Sequence, residues 1–173
     1  RANYAYHVSP MMLRLPKFSC QDGVLSTSGE VLFRLEQSRQ IIHLHDLCND
    51  CGNCATFCIH QGKPYKEKPR LFFSARDFAL ENDNAFHIER QDAGWIIRRR
   101  DRGSQSQLSM ASNAGNVIYE NDLLRVVLST VDFSISEMEL KRKFEGELAL
   151  TDVGEMYVIL QGVISSLAFL PVE

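Results

Sequence analysis

Four of the five cysteines in this chain are bunched, Cys48, Cys51, Cys54 and Cys58, in the spacing C-x2-C-x2-C-x3-C. A disulfide framework scatters its cysteines so that bridges staple distant loops, whereas thiols two residues apart converge on one point when the intervening backbone turns tightly. The spacing therefore points to a metal site. Three cysteines at two-residue intervals, followed by a fourth after three residues, form the run that bacterial ferredoxins use for iron–sulfur clusters. Soft thiolate suits iron, its negative charge offsets that of the metal, and backbone N–H groups aimed at the sulfurs help set the potential. Gly52, inside the run, can take a positive φ and let the backbone approach a bound group closely, so it is read as a cofactor-binding position.

The predicted ligands are thus Cys48, Cys51, Cys54 and Cys58, and the predicted cofactor is a [4Fe–4S] cluster. Two alternatives stand beside it. Zinc accepts four cysteines, or three and a histidine, and His43, His45 and His60 flank the run; structural zinc sites, however, draw two ligands from each of two separated knuckles, and there is no second cysteine pair. Unliganded thiols are the other alternative. In two-cluster ferredoxins the fourth cysteine of a run ligates the other cluster. By that rule Cys58 serves a partner cluster, and Cys48, Cys51 and Cys54 need a fourth ligand from elsewhere. Either Cys20 or Cys58 closes a single cluster, or half of a ferredoxin-like segment lies outside this chain. The chain opens on Arg1 rather than Met, as a piece of something longer would. Cys20 itself reads as a small buried hydrophobe.

The 173 residues suit one domain or a domain with an appendage, and 45% apolar composition is enough for a real core. The reading is α+β: a small ferredoxin-like cysteine lobe over residues 1–80, then an antiparallel meander with C-terminal helices over 81–173 that acts as a packing or docking lobe. Residues 1–29 look irregular. Short strands are expected at 30–36 and 40–45, paired with each other, a short helix at 53–58, a strand at 71–73 and a helical turn at 74–80. Residues 86–90, 95–101 and 107–111 read as a meander with a tight turn at Asp92-Ala93-Gly94. Leu123, Leu124, Val127, Leu128 and Val131 have helical spacing. Ser134 with Glu137, and Asp152 with Glu155, offer capping boxes for two more helices, the last weakened by Gly154 and Gly162.

A net charge of −3 argues against a dedicated nucleic-acid binder. Lys141-Arg142-Lys143 on the expected middle helix raises the alternative of a cluster-sensing DNA-binding regulator, but Glu137, Glu139, Glu145 and Glu147 surround it. No apolar stretch is long enough to span a bilayer, and residues 1–20 lack a signal-peptide core, so a cytoplasmic protein is the expectation. Arg98-Arg99-Arg100 with Arg102 reads as a solvated hairpin strand. Lys63, Lys66, Lys68 and Arg70 lie nearer the cysteines and would offset a cluster's charge. His43 and His45 read as packing or surface residues and Trp95 as core. There is no glycine-rich phosphate loop and no catalytic triad.

The stretch His43-Leu44-His45-Asp46-Leu47-Cys48-Asn49-Asp50-Cys51-Gly52-Asn53-Cys54-Ala55-Thr56-Phe57-Cys58, followed by Gly62-Lys63-Pro64-Tyr65-Lys66-Glu67-Lys68, resembles the carboxyl-terminal part of the selenate reductase iron–sulfur subunit family. Those proteins are large, cytoplasmic, and similar to the small subunit of glutamate synthase and to dihydropyrimidine dehydrogenase. The resemblance implies upstream flavin- and NAD(P)H-binding domains, holding FAD and NAD(P), as partners in the same parent chain or complex. It also implies a two-cluster ferredoxin segment, whose first cysteine run ends in a sequence like Arg1-Ala2-Asn3. Its functional implication is an electron-transfer fragment of an oxidoreductase, not catalytic alone. One departure stands out: the family has Pro after the last cysteine of the run, and this chain has Ile59-His60.

Overall fold

Residues 2–56, 63–112 and 115–171 are described by a computed structural model. Asp22-Gly23 sets the architecture of the amino-terminal region. Both residues have positive φ, 50° and 76°, the geometry of a two-residue hairpin turn. After β1 (Asn3–His7), this turn folds β2 (Met11–Gln21) back against β3 (Val24–Leu35). The segment expected to be irregular is therefore a long hairpin. β4 (Arg39–Leu44) then leaves that hairpin and pairs antiparallel with β1. So the two strands expected near 30–36 and 40–45 exist, but they are not partners.

A 3-10 turn (His45–Leu47), the cysteine loop, α1 (Asn53–Thr56) and α2 (Pro64–Glu67) connect β4 to its parallel neighbour β5 (Arg70–Phe72). α3 (Ala75–Leu80) is capped by Ser74, whose Oγ accepts the Asp77 N–H at 3.3 Å, and it leads to β6 (Ala85–Gln91), again parallel to β5. From there the chain meanders antiparallel through β7 (Gly94–Asp101), β8 (Ser104–Ala111), β9 (Asn116–Asn121), β10 (Leu124–Ser129) and β11 (Ile135–Leu140). β12 (Gly146–Ala149) crosses to pair with β2, and α4 (Thr151–Ser166) closes the fold.

The result is one nine-stranded mixed sheet in the order β1-β4-β5-β6-β7-β8-β9-β10-β11 and a three-stranded sheet, β12-β2-β3. The expected α+β arrangement with a small ferredoxin-like cysteine lobe is therefore wrong. The chain is mostly β, with one long helix, and the large sheet draws strands from both sides of residue 80. Residues 119–132, and a second stretch from Ser134 to about Phe144, are strands and turns rather than the expected helices, and their side chains explain the difference. Asn121 Oδ1 accepts the N–H groups of Leu123 and Leu124 at 2.8 and 2.9 Å, which turns the chain between β9 and β10. The Ser134 hydroxyl donates to Asp132 Oδ1 at 2.7 Å instead of capping a helix. Val131, expected on the apolar stripe, is 90% exposed.

α4 is buried along much of its circumference because it lies between the sheets. An added Cβ at Gly154 would sit 2.5 Å from Phe33 of β3, and one at Gly162 would sit 1.9 Å from Tyr6 of β1. Both glycines are thus close-approach positions, not helix breakers. A single core joins Leu15 and Phe18 of β2, Ile42 and Leu44 of β4, Leu108 of β8, Leu128 of β10 and Met156, Leu160 and Val163 of α4. Trp95 is half-buried beneath the Arg90 guanidinium, 5.7 Å from the ring centre. The arginine cluster on β7 is internally engaged: Arg98 pairs with Glu89, Arg99 with Asp101 and Glu155, and Arg100 donates to Ala79 O. No helix among the described residues is long and apolar enough to cross a membrane.

Candidate functional site

The cysteine loop leaves the large sheet at the carboxyl end of β4, and short contacts anchor its start. Leu44 N–H donates to Ala2 O at 2.7 Å, and Cys48 N–H donates to His45 O at 2.8 Å, closing the 3-10 turn. Asp46 Oδ2 accepts the Phe73 N–H at 3.0 Å, while the His45 ring packs on Phe72 with centres 4.4 Å apart. Beyond this anchor the backbone turns through two left-handed residues, Asp50 at φ 51° and Gly52 at φ 73°. Gly52 O then accepts the Ala55 N–H at 2.9 Å and starts α1. This local winding brings Cys48, Cys51 and Cys54 to one cavity of about 630 Å³, with Gly52, His43 and Tyr65 also on its wall. The volume is that of a small-ligand or cofactor pocket.

Cys48 and Cys54 are half-buried and Cys51 is exposed. Asp50 N–H donates to Cys48 Sγ at 3.4 Å, and the thiol donates in turn to Asp50 Oδ1 at 3.5 Å. Burial pushes the Cys48 thiol above its ordinary pKa, the Asp50 carboxylate adds to this, and the Asp50 N–H opposes it. Cys51 N–H donates to Asn49 Oδ1 at 3.4 Å. Thiol chemistry, a backbone N–H on sulfur and left-handed turns on either side of Cys51 suit a thiolate-bound metal centre. The thiols are not drawn together into ligating positions: among the described residues no three His, Cys, Asp or Glu side chains are close enough to hold a metal ion.

Cys58 lies outside the described residues, as do Ile59, His60 and Arg1. Cys20 is fully buried on β2, opposite Leu25 in the three-stranded sheet, and is not on the cavity wall. Arg70 pairs with Glu81 at 2.8 Å, and Lys63, Lys66 and Lys68 are exposed on the connection that carries Tyr65. Two further wall residues, Asn3 and His43, meet through a contact that the run itself does not signal. Asn3 reaches the cavity from β1, in register with His43 of β4, and its Oδ1 lies 2.8 Å from His43 Nδ1. His43 is 1% exposed, and burial, then the neighbouring His45, lowers its pKa.

Over 89 residues, 51% of its length, the chain is 36% identical to "Putative oxidoreductase YgfK" of Escherichia coli strain K12. The protein of the same name from Escherichia coli O157:H7 matches equally. The stretch matched is 8% of the length of YgfK, so the chain corresponds to a small part of the curated relatives. The name YgfK carries speaks of redox chemistry and of no particular substrate. No protein-family model matches the chain. No solved structure matches it.

Proposed function

We propose that this chain is the electron-transfer part of a larger oxidoreductase, in which Cys48, Cys51 and Cys54 hold an iron–sulfur cluster. The observation that carries the reading is the placement of three cysteines of a ferredoxin-type run on the wall of one cavity at the end of β4. Similarity to a protein named as an oxidoreductase supports it. A [4Fe–4S] cluster, when bound, supplies one-electron chemistry at a potential tuned by charge and by hydrogen bonds to sulfur.

The chain's own residues do the rest. Cys48, Cys51 and Cys54 serve as thiolate ligands, and the Asp50 N–H, already on Cys48 sulfur, favours the more negative reduced state. Gly52 keeps the backbone close without a side chain in the way, since an added Cβ there would be strained at φ 73°. Tyr65 forms part of the wall, and Lys63, Lys66 and Lys68 place positive charge on the connection beside it. Cys58 is the thiolate that the ferredoxin pattern gives to a neighbouring cluster. FAD and NAD(P) belong to flavin-bearing parts of the same parent protein, as in the selenate reductase-type subunits that the run resembles, and no residue here is assigned to them.

Anaerobically purified protein should be brown, with broad visible absorbance that bleaches on reduction. A colourless chain holding one stoichiometric zinc, unchanged by anaerobic reconstitution with iron and sulfide, would refute the reading.

A further inference from the structure

We propose that two copies of this chain pair edge to edge through β3, antiparallel about Leu32, so that their two small sheets join into one.

β3 is the outer strand of the small sheet, and among the described residues it has a strand partner, β2, on one side only. Its other side presents a row of unpaired backbone N–H and C=O groups, a template for a further strand. Natural edges are blunted by brevity, by bulges or by charge. β3 is twelve residues long, and its irregularity against β2 falls at Ser28, which leaves residues 29–35 regular.

This stretch is complementary to itself. Pairing about Leu32 sets Glu30 opposite Arg34 of the second copy, and the two-fold axis repeats the ion pair on the other side. On the opposite face it sets Val31 against Phe33 of the second copy, an aromatic–β-branched pair of the kind that stabilises antiparallel sheets. Leu32, 43% exposed, meets its own counterpart on the axis, and Met12, 60% exposed, lies diagonal to it on β2. Arg34 has no acidic partner among the described residues, while Glu30 pairs with Arg14 at 3.3 Å and both side chains stay largely exposed.

The other edges lack this symmetry. β11, at one end of the large sheet, would set Glu137 against Glu139 of a second copy if paired about Met138, and like charges directly opposite repel. β1, at the other end, is five residues long, and its His7 N–H donates to the Ser166 hydroxyl, which donates back to His7 O. β12, on the far edge of the small sheet, has four residues. None of the pairing residues on β3 lines the cysteine cavity, so the dimer is independent of what that cavity holds.

Sedimentation of the 173-residue chain over a wide range of concentrations tests the pairing, with circular dichroism checking that each variant folds. The parent should pass from monomer to dimer as concentration rises, as a small edge interface requires. Glu30→Arg and Arg34→Glu each put like charges at both symmetric positions and should weaken the dimer about tenfold or more. An equimolar mixture of these two variants should dimerise again, because every facing pair is once more of opposite charge. Glu137→Arg, on β11, should leave the dimer unchanged. A parent that stays monomeric, a dimer that survives both single variants, or two monomeric variants that mixing does not restore overturns the proposal. A dimer lost in Glu137→Arg overturns it as well.

Discussion

Gly162→Ala sets two known effects against each other. Alanine is favoured over glycine in a helix interior by about 1 kcal/mol, so on propensity alone the change stabilises α4. The new Cβ, however, would lie 1.9 Å from Tyr6 Cδ2 and 2.4 Å from Cε2. Carbon atoms pack at roughly 3.5–4 Å, so ring and helix must separate by about 1.5 Å. Tyr6 is 2% exposed and sits on β1, so it can retreat only by dragging the strand or by opening the core. Overpacking of this kind costs about 1–3 kcal/mol and, with so close an approach, falls at the upper end. The net expectation is a loss of about 1–2 kcal/mol. Gly154→Ala is the internal control. Its Cβ would meet the Phe33 ring at 2.5 Å, a shallower clash than at Gly162, and against a half-buried side chain on β3, the outer strand of the small sheet. That variant should stay within about 1 kcal/mol of the parent. Urea denaturation followed by circular dichroism measures both. A Gly162→Ala protein as stable as the parent would mean that α4 is not seated on Tyr6. Because β1 also carries Asn3, the same variant should loosen the Asn3–His43 contact.

Leu128→Ala, at a fully buried position on β10, should cost about 2–5 kcal/mol, while Val131→Ala, at an exposed one, should stay within about 0.5 kcal/mol; equal losses would restore the helical stripe. The hydrogen bond from Arg98 holds the Glu89 carboxyl below its usual range. Its stabilisation is present above the unfolded pKa of about 4.3 and is lost as pH falls through the lower folded value. Glu89→Gln should therefore cost under about 1 kcal/mol at neutral pH and flatten the acid limb of stability, read as urea midpoint against pH. In a longer protein carrying an upstream cysteine run, Cys58→Ser should damage the neighbouring cluster and Cys51→Ser the one in this loop, each visible as loss of one paramagnetic signal on reduction.

Legibility followed the strength of local signals. The meander from β6 to β8, the helical turn at 74–80 and the helix around Asp152 were readable from alternation and 3.6-residue spacing. Asp152 and Glu155 nevertheless make no capping box: Asp152 accepts from Ser106 and Tyr119, and Glu155 pairs with Arg99. Residues 119–140 were misread because Leu123, Leu124, Val127 and Leu128 satisfy a helical stripe as well as a buried strand. The deciding groups were Asn121 and Asp132, which turn the chain through side-chain bonds to backbone N–H groups. Asp22-Gly23 was a hairpin signal overlooked inside a Ser/Thr-rich stretch. At the site, the bunched cysteines were visible at once. The contact between Asn3 and His43 was not, because a pairing across 40 residues exists only in the β1–β4 register.

Iron and acid-labile sulfide per chain, measured on anaerobically reconstituted protein, test the central claim most directly. Up to about four of each, held weakly because the fourth thiolate comes from elsewhere, are predicted in the parent and in Cys58→Ser alike, with both lost in Cys51→Ser. A chain that takes up neither iron nor sulfide, with every thiol of the run still free to react, would contradict it.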